Sequence, residues 1–388
     1  MQVINLIQEI ADNKLEFIKI NGHAMRGYNG PYNNQETPVR NSAHWIHTYA
    51  YLWKTTNQIK YYKAIKILAR FLVEPSNYGK SGSICVRKDK RFDKTNGLIG
   101  QAWVIEALVK AAEILDDINY YEQAKKLFLL QPFNKSNNMW EVLDCNGEIC
   151  YDTTFNHQLW FAASGSIILD FKYNQEIDKM IKLFLKEANE KLFTVYDNGL
   201  IVHVANYKLS AEERKHLKKL GMKRKFLSLL SSPITVVKKK VTDKMAKYAF
   251  TEGLEKAYHL FDLYGFAILK SRYGEESIFS SEKFKKAVEY ALCTDLVFSL
   301  MEPCGEYSFN KFAFGYNSPA FEYPLICKVF GNPDKMEIYR EVCKKLLEFQ
   351  IMKVYDPENH SFMLAGPDSE TLDARVYELI RVLEVSKK

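Results

Sequence analysis

The sequence predicts an all-α chain closed into a ring of six helical hairpins, an (α/α)6 toroid or six-hairpin barrel with short β-hairpin loops at one rim. Three observations predict it. Lys-striped amphipathic stretches alternate with stretches that are apolar on most sides. Polar landmarks near the starts of the apolar stretches are spaced 57, 56, 102, 63 and 51 residues apart. The segments leading into several apolar stretches carry strand-like runs with Asn-Gly or Asp-Pro turn signals.

The amphipathic stretches are residues 57–73, 119–130, 174–188, 280–292 and 332–349. Each opens on a turn or capping residue and then places apolar positions at helical spacing. The apolar partners are residues 44–53, 100–115, 156–169, 258–270, 318–330 and 371–385. A helix apolar all round belongs in the interior. Residues 3–18 supply the twelfth helix, expected beside the last inner one. An open solenoid of the tetratricopeptide kind would repeat every 34 residues, which is shorter than the spacing here. The strand-like pieces at 141–154, 193–206 and 353–366 are expected to gather at the rim where the inner helices begin. Helix N-termini gathered there would favour anions.

Residues 1–388 read as one toroid domain with a basic amphipathic insert at 207–247, between hairpins three and four. The insert holds thirteen Lys or Arg against three acidic residues, more than the net charge of +7 of the whole chain. The ring itself is therefore slightly acidic. The insert's apolar centre, FLSLLSSPITVV, is flanked by KRK and KKK. That pattern suits an anionic membrane surface, an acidic glycan, or a solvated excursion packed on the ring. Nucleic acid is not expected, because no binding motif occurs.

The N-terminal MQVINLIQEIADNK lacks the parts of a secretory signal, and no apolar run is long enough to span a bilayer. The expected location is the cytoplasm, with peripheral contact at the inner membrane face through the insert. The seven cysteines are scattered without a CxxC, and reduced, mostly buried thiols are expected. GxSxG, P-loop and dinucleotide fingerprints are absent, and no cofactor is expected.

Four segments carry a resemblance: Asn41-Ser42-Ala43-His44-Trp45, Asn96-Gly97-Leu98-Ile99-Gly100-Gln101-Ala102-Trp103, Asp152-Thr153-Thr154-Phe155-Asn156-His157-Gln158 and Tyr316-Asn317-Ser318-Pro319-Ala320-Phe321-Glu322. In these the chain resembles the six-hairpin carbohydrate enzymes. That class includes unsaturated glucuronyl hydrolases, N-acylglucosamine 2-epimerases, glucuronyl C5-epimerase domains and several polysaccharide lyases. The resemblance implies an oligosaccharide or polysaccharide in the central cleft and leaves the reaction open.

Polar residues at the starts of buried helices must be paired or used. Asp152 and His157 flank the start of inner helix three and could share proton transfer, or act as a cap and a core histidine. Glu322 sits among apolar neighbours, where desolvation would suit a general acid, or a salt bridge to Arg375. Asp373 and Arg375 lie two apart on the last inner helix, and Arg375 would suit a uronate carboxylate. His259 pairs with Asp262 at helical spacing as a second acid/base candidate. His44 and His47 share a helix face, but without HExxH they are read as sugar-hydroxyl partners rather than metal ligands. Trp45 and Trp103 could stack on sugar faces, and Gln101, Tyr316 and Asn317 complete the candidate binding set. The loop 21–40 could cover the rim through Tyr28, Tyr32 and Arg40.

Together these point first to a glycoside hydrolase on a uronate-containing glycan, with Asp152 or Glu322 as the acid. The alternatives are an epimerase or lyase moving a proton through His157 or His259 with a Tyr, and a non-catalytic glycan binder of surface-polysaccharide assembly.

Overall fold

The computed structural model describes residues 3–89, 92–207, 244–303, 308–365 and 368–385. Its helices in chain order are α1 Val3–Asn21, α2 Val39–Thr56, α3 Ile59–Leu72, α4 Gly97–Leu115, α5 Ile118–Leu130, α6 Phe155–Phe171 and α7 Gln175–Glu187. They continue with α8 Lys244–Tyr273, α9 Glu282–Leu292, α10 Thr294–Ser299, α11 Pro319–Phe330, α12 Met336–Val354, α13 Ser369–Ala374 and α14 Tyr377–Val385. Strands β1 Phe133–Asn134, β2 Met139–Leu143 and β3 Ile149–Tyr151 form one small antiparallel sheet before α6.

The ring closes. Helix α2 packs on α4, α4 on α6, α6 on α8, α8 on α11, α11 on α14, and α14 returns to α2. The outer helices α3, α5, α7, α9 and α12 back these inner ones, and α1 packs on α2 and α3. The sequence pattern explains the two layers. Helix α7 buries Ile177, Ile181, Phe184 and Leu185 along one stripe and leaves its lysines outside. Helix α4 buries Leu98, Ile99, Trp103, Val104, Ile105 and Leu108 on several sides. Each such side chain contributes roughly 1.5–3 kcal/mol on leaving water. Asn174 and Ser281 cap their outer helices by accepting from Ile177 N and Phe284 N.

Polar residues on the inner helices do a repeated job. Gln101 accepts from Ile84 N and donates to Ile84 O, both at 3.0 Å. Gln158 does the same to Trp140, at 3.0 and 2.7 Å. His259 takes Ile201 N at 3.2 Å and meets Ala287 O at 3.0 Å. Asp373 takes Phe362 N at 2.7 Å and Ser361 Oγ at 2.6 Å. In each case an inner helix holds the backbone of the rim segment that precedes it, satisfying groups a buried loop would otherwise orphan.

Four expectations are corrected. The last inner helix is two pieces, α13 and α14, separated at Arg375 and Val376, where Arg375 N bonds Thr371 O and its side chain turns into a buried ion cluster. Inner helix four begins at Lys244, well before residue 258. Helix α1 sits beside the first hairpin and reaches the last through Lys14, 2.9 Å from both Glu370 and Asp373. Cys85 and Cys145 are joined by a disulfide across 60 residues, tying the segment before α4 to the β2–β3 turn. Cys293, Cys327 and Cys343 remain thiols. Most of the basic insert, residues 208–243, lies outside the described residues. Among the described residues no helix is long and apolar enough to cross a membrane.

Candidate active site

The site is built where α4 and α6 begin. Asn96 and Gly97 both take left-handed backbone, at φ 58° and 62°. That double turn aims the first N–H groups of α4 at two carboxylates. Gly97 N donates to Asp93 Oδ1 at 2.8 Å, and Leu98 N to Asp152 Oδ2 at 3.0 Å. A Cβ on Gly97 would lie 2.3 Å from Asp152 Oδ2 and 2.7 Å from His157 Nδ1, so no other residue fits without displacing them.

Asp152 follows β3 and also accepts from Thr154 N at 3.2 Å. Its Oδ2 is 2.7 Å from Nδ1 of His157, on the first turn of α6. Burial pushes the Asp152 carboxyl up, but the His157 ring and the Leu98 and Thr154 N–H groups outweigh it and hold it below its ordinary value. An ionised Asp152 on Nδ1 fixes the neutral ring as the Nδ1–H tautomer and leaves Nε2 as an acceptor.

His203 comes from the loop after α7. The bridge Thr154–Val204 and the bond from Phe155 N to His203 O at 3.0 Å bring that loop onto the start of α6. Asn156 Nδ2 lies 3.5 Å from His203 Nδ1, which favours Nδ1 as acceptor and Nε2–H as donor. Burial, and then the neighbouring His157, lower His203 to about 4. Its ring meets Tyr258 edge-on at 4.9 Å, and Tyr258 Oη bonds Tyr32 Oη at 2.9 Å. Burial raises both phenols, so they remain protonated donors.

His157, His203, Tyr32, Tyr258, Asn156, Arg87 and Arg375 share a cavity of about 230 Å³ with Trp103, Phe261, Tyr316 and Asn317. Its floor is layered. Arg40 lies 4.1 Å from the Trp103 ring and 5.2 Å from that of Tyr316. Arg40 also bonds Asn29 Oδ1 at 3.2 Å, and Tyr316 Oη bonds the same oxygen at 2.7 Å. Gly30, at φ 57°, allows this closeness, since a Cβ there would lie 2.2 Å from the Tyr316 ring. Arg375 bonds Asn317 Oδ1 at 2.7 Å, Glu322 Oε1 at 2.9 Å and Glu378 Oε1 at 2.8 Å.

The structure thus brings Tyr32, His157, Trp103, Tyr316, Asn317 and Arg375 to one cavity and sets Asp152 directly behind it. The other candidates lie elsewhere. Glu322 is fully buried behind Arg375, and burial followed by repulsion from Glu378 raises its carboxyl well above the ordinary range. Gln101, His259 and Asp373 hold rim segments. Asp262 is buried and is not among the cavity residues. Arg40 lies beneath the floor. His44 is stacked on Tyr377 at 4.6 Å, meets Trp103 edge-on at 5.3 Å, and receives Arg40 Nε at 3.3 Å. Trp45 is buried against Tyr49 at 5.5 Å, on the outer side of α2. His47 belongs to a separate cavity at the far end of the ring. Tyr28 is half-buried beside Arg26, 3.5 Å from Nη2.

The sequence reading missed His203, Tyr258 and Arg87. His203 and Arg87 stand in rim segments, where no helical period marks the inward side chain. Tyr258 is adjacent to His259, and one helical step of about 100° turns it into the cavity while His259 faces the loop.

No family model matches the chain. Archaeal glycosylation protein Q of Haloferax volcanii is 30% identical over 386 residues, spanning 97% of this chain and 96% of that protein. Among solved structures, cellobiose 2-epimerase from Spirochaeta thermophila superposes with a TM-score of 0.64 at 12% identity, covering 100% of this chain and 98% of that one. Cellobiose 2-epimerase from Bacillus thermoamylovorans gives 0.61 at 10% identity, covering 98% and 99%. An inactive variant of the α-1,6-mannanase of Salegentibacter sp., in complex with α-1,6-mannotetrose, gives 0.52 at 12%, covering 99% of each chain. At these identities the structural likeness shows the shared fold, the (α/α)6 toroid. The sequence relationship spans nearly the whole of both proteins, and the chain belongs to the family of archaeal glycosylation protein Q.

Proposed function

We propose that the rim cavity is the active site of a sugar epimerase or isomerase that acts on a unit of a glycan under assembly. The observation that carries this reading is the pair His157 and His203 on one cavity in opposite hydrogen-bonding states. With Asp152 on its Nδ1, His157 offers Nε2 as a base. With Asn156 against its Nδ1, the neutral His203 offers Nε2–H as a hydrogen-bond donor. Nε2 of His157 removes the proton from a carbon next to a carbonyl or carboxylate and, as the imidazolium, returns it to that carbon or its neighbour, while the neutral His203 ring donates a hydrogen bond through Nε2–H and keeps its proton. Tyr32 and Tyr258 are protonated donors for the oxygen that gains charge in between.

Arg87 on the wall, whose Nε has no hydrogen-bond partner, supports a uronate as the unit. Trp103, Phe261 and Tyr316 give flat faces for a sugar ring. The relative named for glycosylation and the toroids named for sugar epimerisation agree with this reading. Hydrolysis asks for two carboxylates facing the cavity. The described lining has neither Asp nor Glu. Asp152 is bound by three donors, and Glu322 is bound to Arg375.

The test is incubation with a panel of neutral and uronate-containing sugars in deuterium oxide, read by mass spectrometry. Deuterium uptake at one carbon of an intact sugar supports the reading. New reducing ends would mean hydrolysis, and an unsaturated product elimination.

A further inference from the structure

The ring has a second cavity, of about 730 Å³, on the side opposite the first. It is formed by the C-terminal halves of inner helices, with Glu106 and Lys110 from α4, Ile268 from α8 and Arg381 from α14 on its walls. The two cavities are separated by the contiguous rings of Trp103, His44, Tyr377 and His47, with centroids 4.6 to 5.3 Å apart.

Four features agree on what would fill it. Glu106 is 1% exposed, and its Oε2 takes Arg381 at 2.7 Å while Oε1 has no hydrogen-bond partner. The lining cations are already engaged. Arg381 is on Glu106, Lys110 bridges Glu113 at 3.2 Å and Glu384 at 3.5 Å, and Lys270 donates to Val329 O at 3.3 Å. Of the lining carboxylates, Asp170 is held by Arg272 at 2.7 Å and Glu113 also by Lys54, and the cavity lies at the carbonyl ends of the helices, where the backbone field is negative. Val109, Ile167, Leu325 and Ile380 make the remaining walls apolar.

We propose that this cavity is a second binding site, separate from the candidate active site, for an organic ammonium with an apolar body. The ammonium donates to the open Oε1 of Glu106, and the apolar body lies on Val109, Ile167 and Leu325. His47, kept neutral first by burial and then by Arg381 and Lys110, offers a ring nitrogen to the same guest and does not repel it.

Titration calorimetry of the full chain with hexylammonium, hexanol and hexanoate tests this, because the three share a chain and differ only in the head. Hexylammonium is expected to bind about tenfold tighter than hexanol, with hexanoate weakest. Glu106→Gln should lose that preference. Lys110→Ala should tighten hexylammonium several-fold by removing a cation and freeing Glu384, a change in the direction opposite to damage from misfolding. His203→Ala, in the first cavity, should change nothing, which locates the site. Equal or tighter binding of hexanol or hexanoate overturns the proposal. So does weakening by Lys110→Ala, loss of binding in His203→Ala, or no heat at millimolar ligand with protein whose circular dichroism is native.

Discussion

Nδ1 of His157 lies 2.7 Å from Oδ2 of Asp152, and the same oxygen accepts the Leu98 N–H at the start of α4. One carboxylate oxygen therefore sets the ring's tautomer and ties two inner helices together. Asp152→Asn keeps the shape but presents an amide that cannot hold both partners as the carboxylate does. Turnover in the deuterium-exchange assay is expected to fall on the order of 10²- to 10⁴-fold, with KM little changed. Steady-state kinetics on the substrate identified by that assay checks it.

Gly97 supports the same pair sterically. Gly97→Ala puts a Cβ at φ 62° within 2.3 Å of Asp152 Oδ2. The expected outcome is a folded protein, about 1–2 kcal/mol less stable, whose turnover falls as far as that of Asp152→Asn. Thermal unfolding and kinetics on one preparation separate the two effects.

His259 makes stability depend on acid. Burial lowers its pKa from 6.5 to about 4, with the Ala287 carbonyl opposing. Above pH 6.5 neither the folded nor the unfolded state binds this proton. Between pH 6.5 and 4 the unfolded chain binds it and the folded chain does not, so stability falls as the pH drops through that window. The loss approaches about 3 kcal/mol at pH 4. Urea denaturation at pH 7, 6, 5 and 4.5 should show the decline, and His259→Gln should flatten part of it.

The Glu322–Arg375–Glu378 cluster is fully buried. Glu322→Ala leaves Arg375 short of a partner and opens a void, at an expected cost of about 3–5 kcal/mol. Glu322→Gln should cost less, because it keeps an acceptor for Arg375. Equilibrium denaturation ranks the two. A Glu322→Ala protein of unchanged stability would contradict the cluster as described.

The ring was legible in the sequence because two periodic signals repeat. The lysine stripe marks helices such as α7, and the charge-poor run marks helices such as α4. Within the site, legibility stopped at side-chain direction. His157, Trp103 and Arg375 could be nominated because their helices begin at the rim. The same rule nominated Gln101, His259 and Asp373, whose side chains turn instead to loop backbone. A residue type at a helix start does not say whether the buried partner is a ligand or a peptide group, because both need the same hydrogen bonds. The sequence reads Glu322 as a general acid or as a salt-bridge partner of Arg375, and the structure buries it with Arg375 at 2.9 Å. His203 was beyond periodic reasoning, since its place follows from one β-bridge, Thr154–Val204, between distant segments.

The clamping of rim segments bears on how such a protein can change. Gln101, Gln158, His259 and Asp373 each grip a different segment at one or two backbone positions close to the ring. Outside those grips, and away from the Cys85–Cys145 disulfide and the Thr154–Val204 bridge, the segments can be lengthened, shortened or exchanged. Rim loops from relatives could be grafted one at a time, provided each graft restores a single N–H to its clamp. The toroid then works as a chassis, and its substrate range can be rewritten loop by loop without reopening the ring.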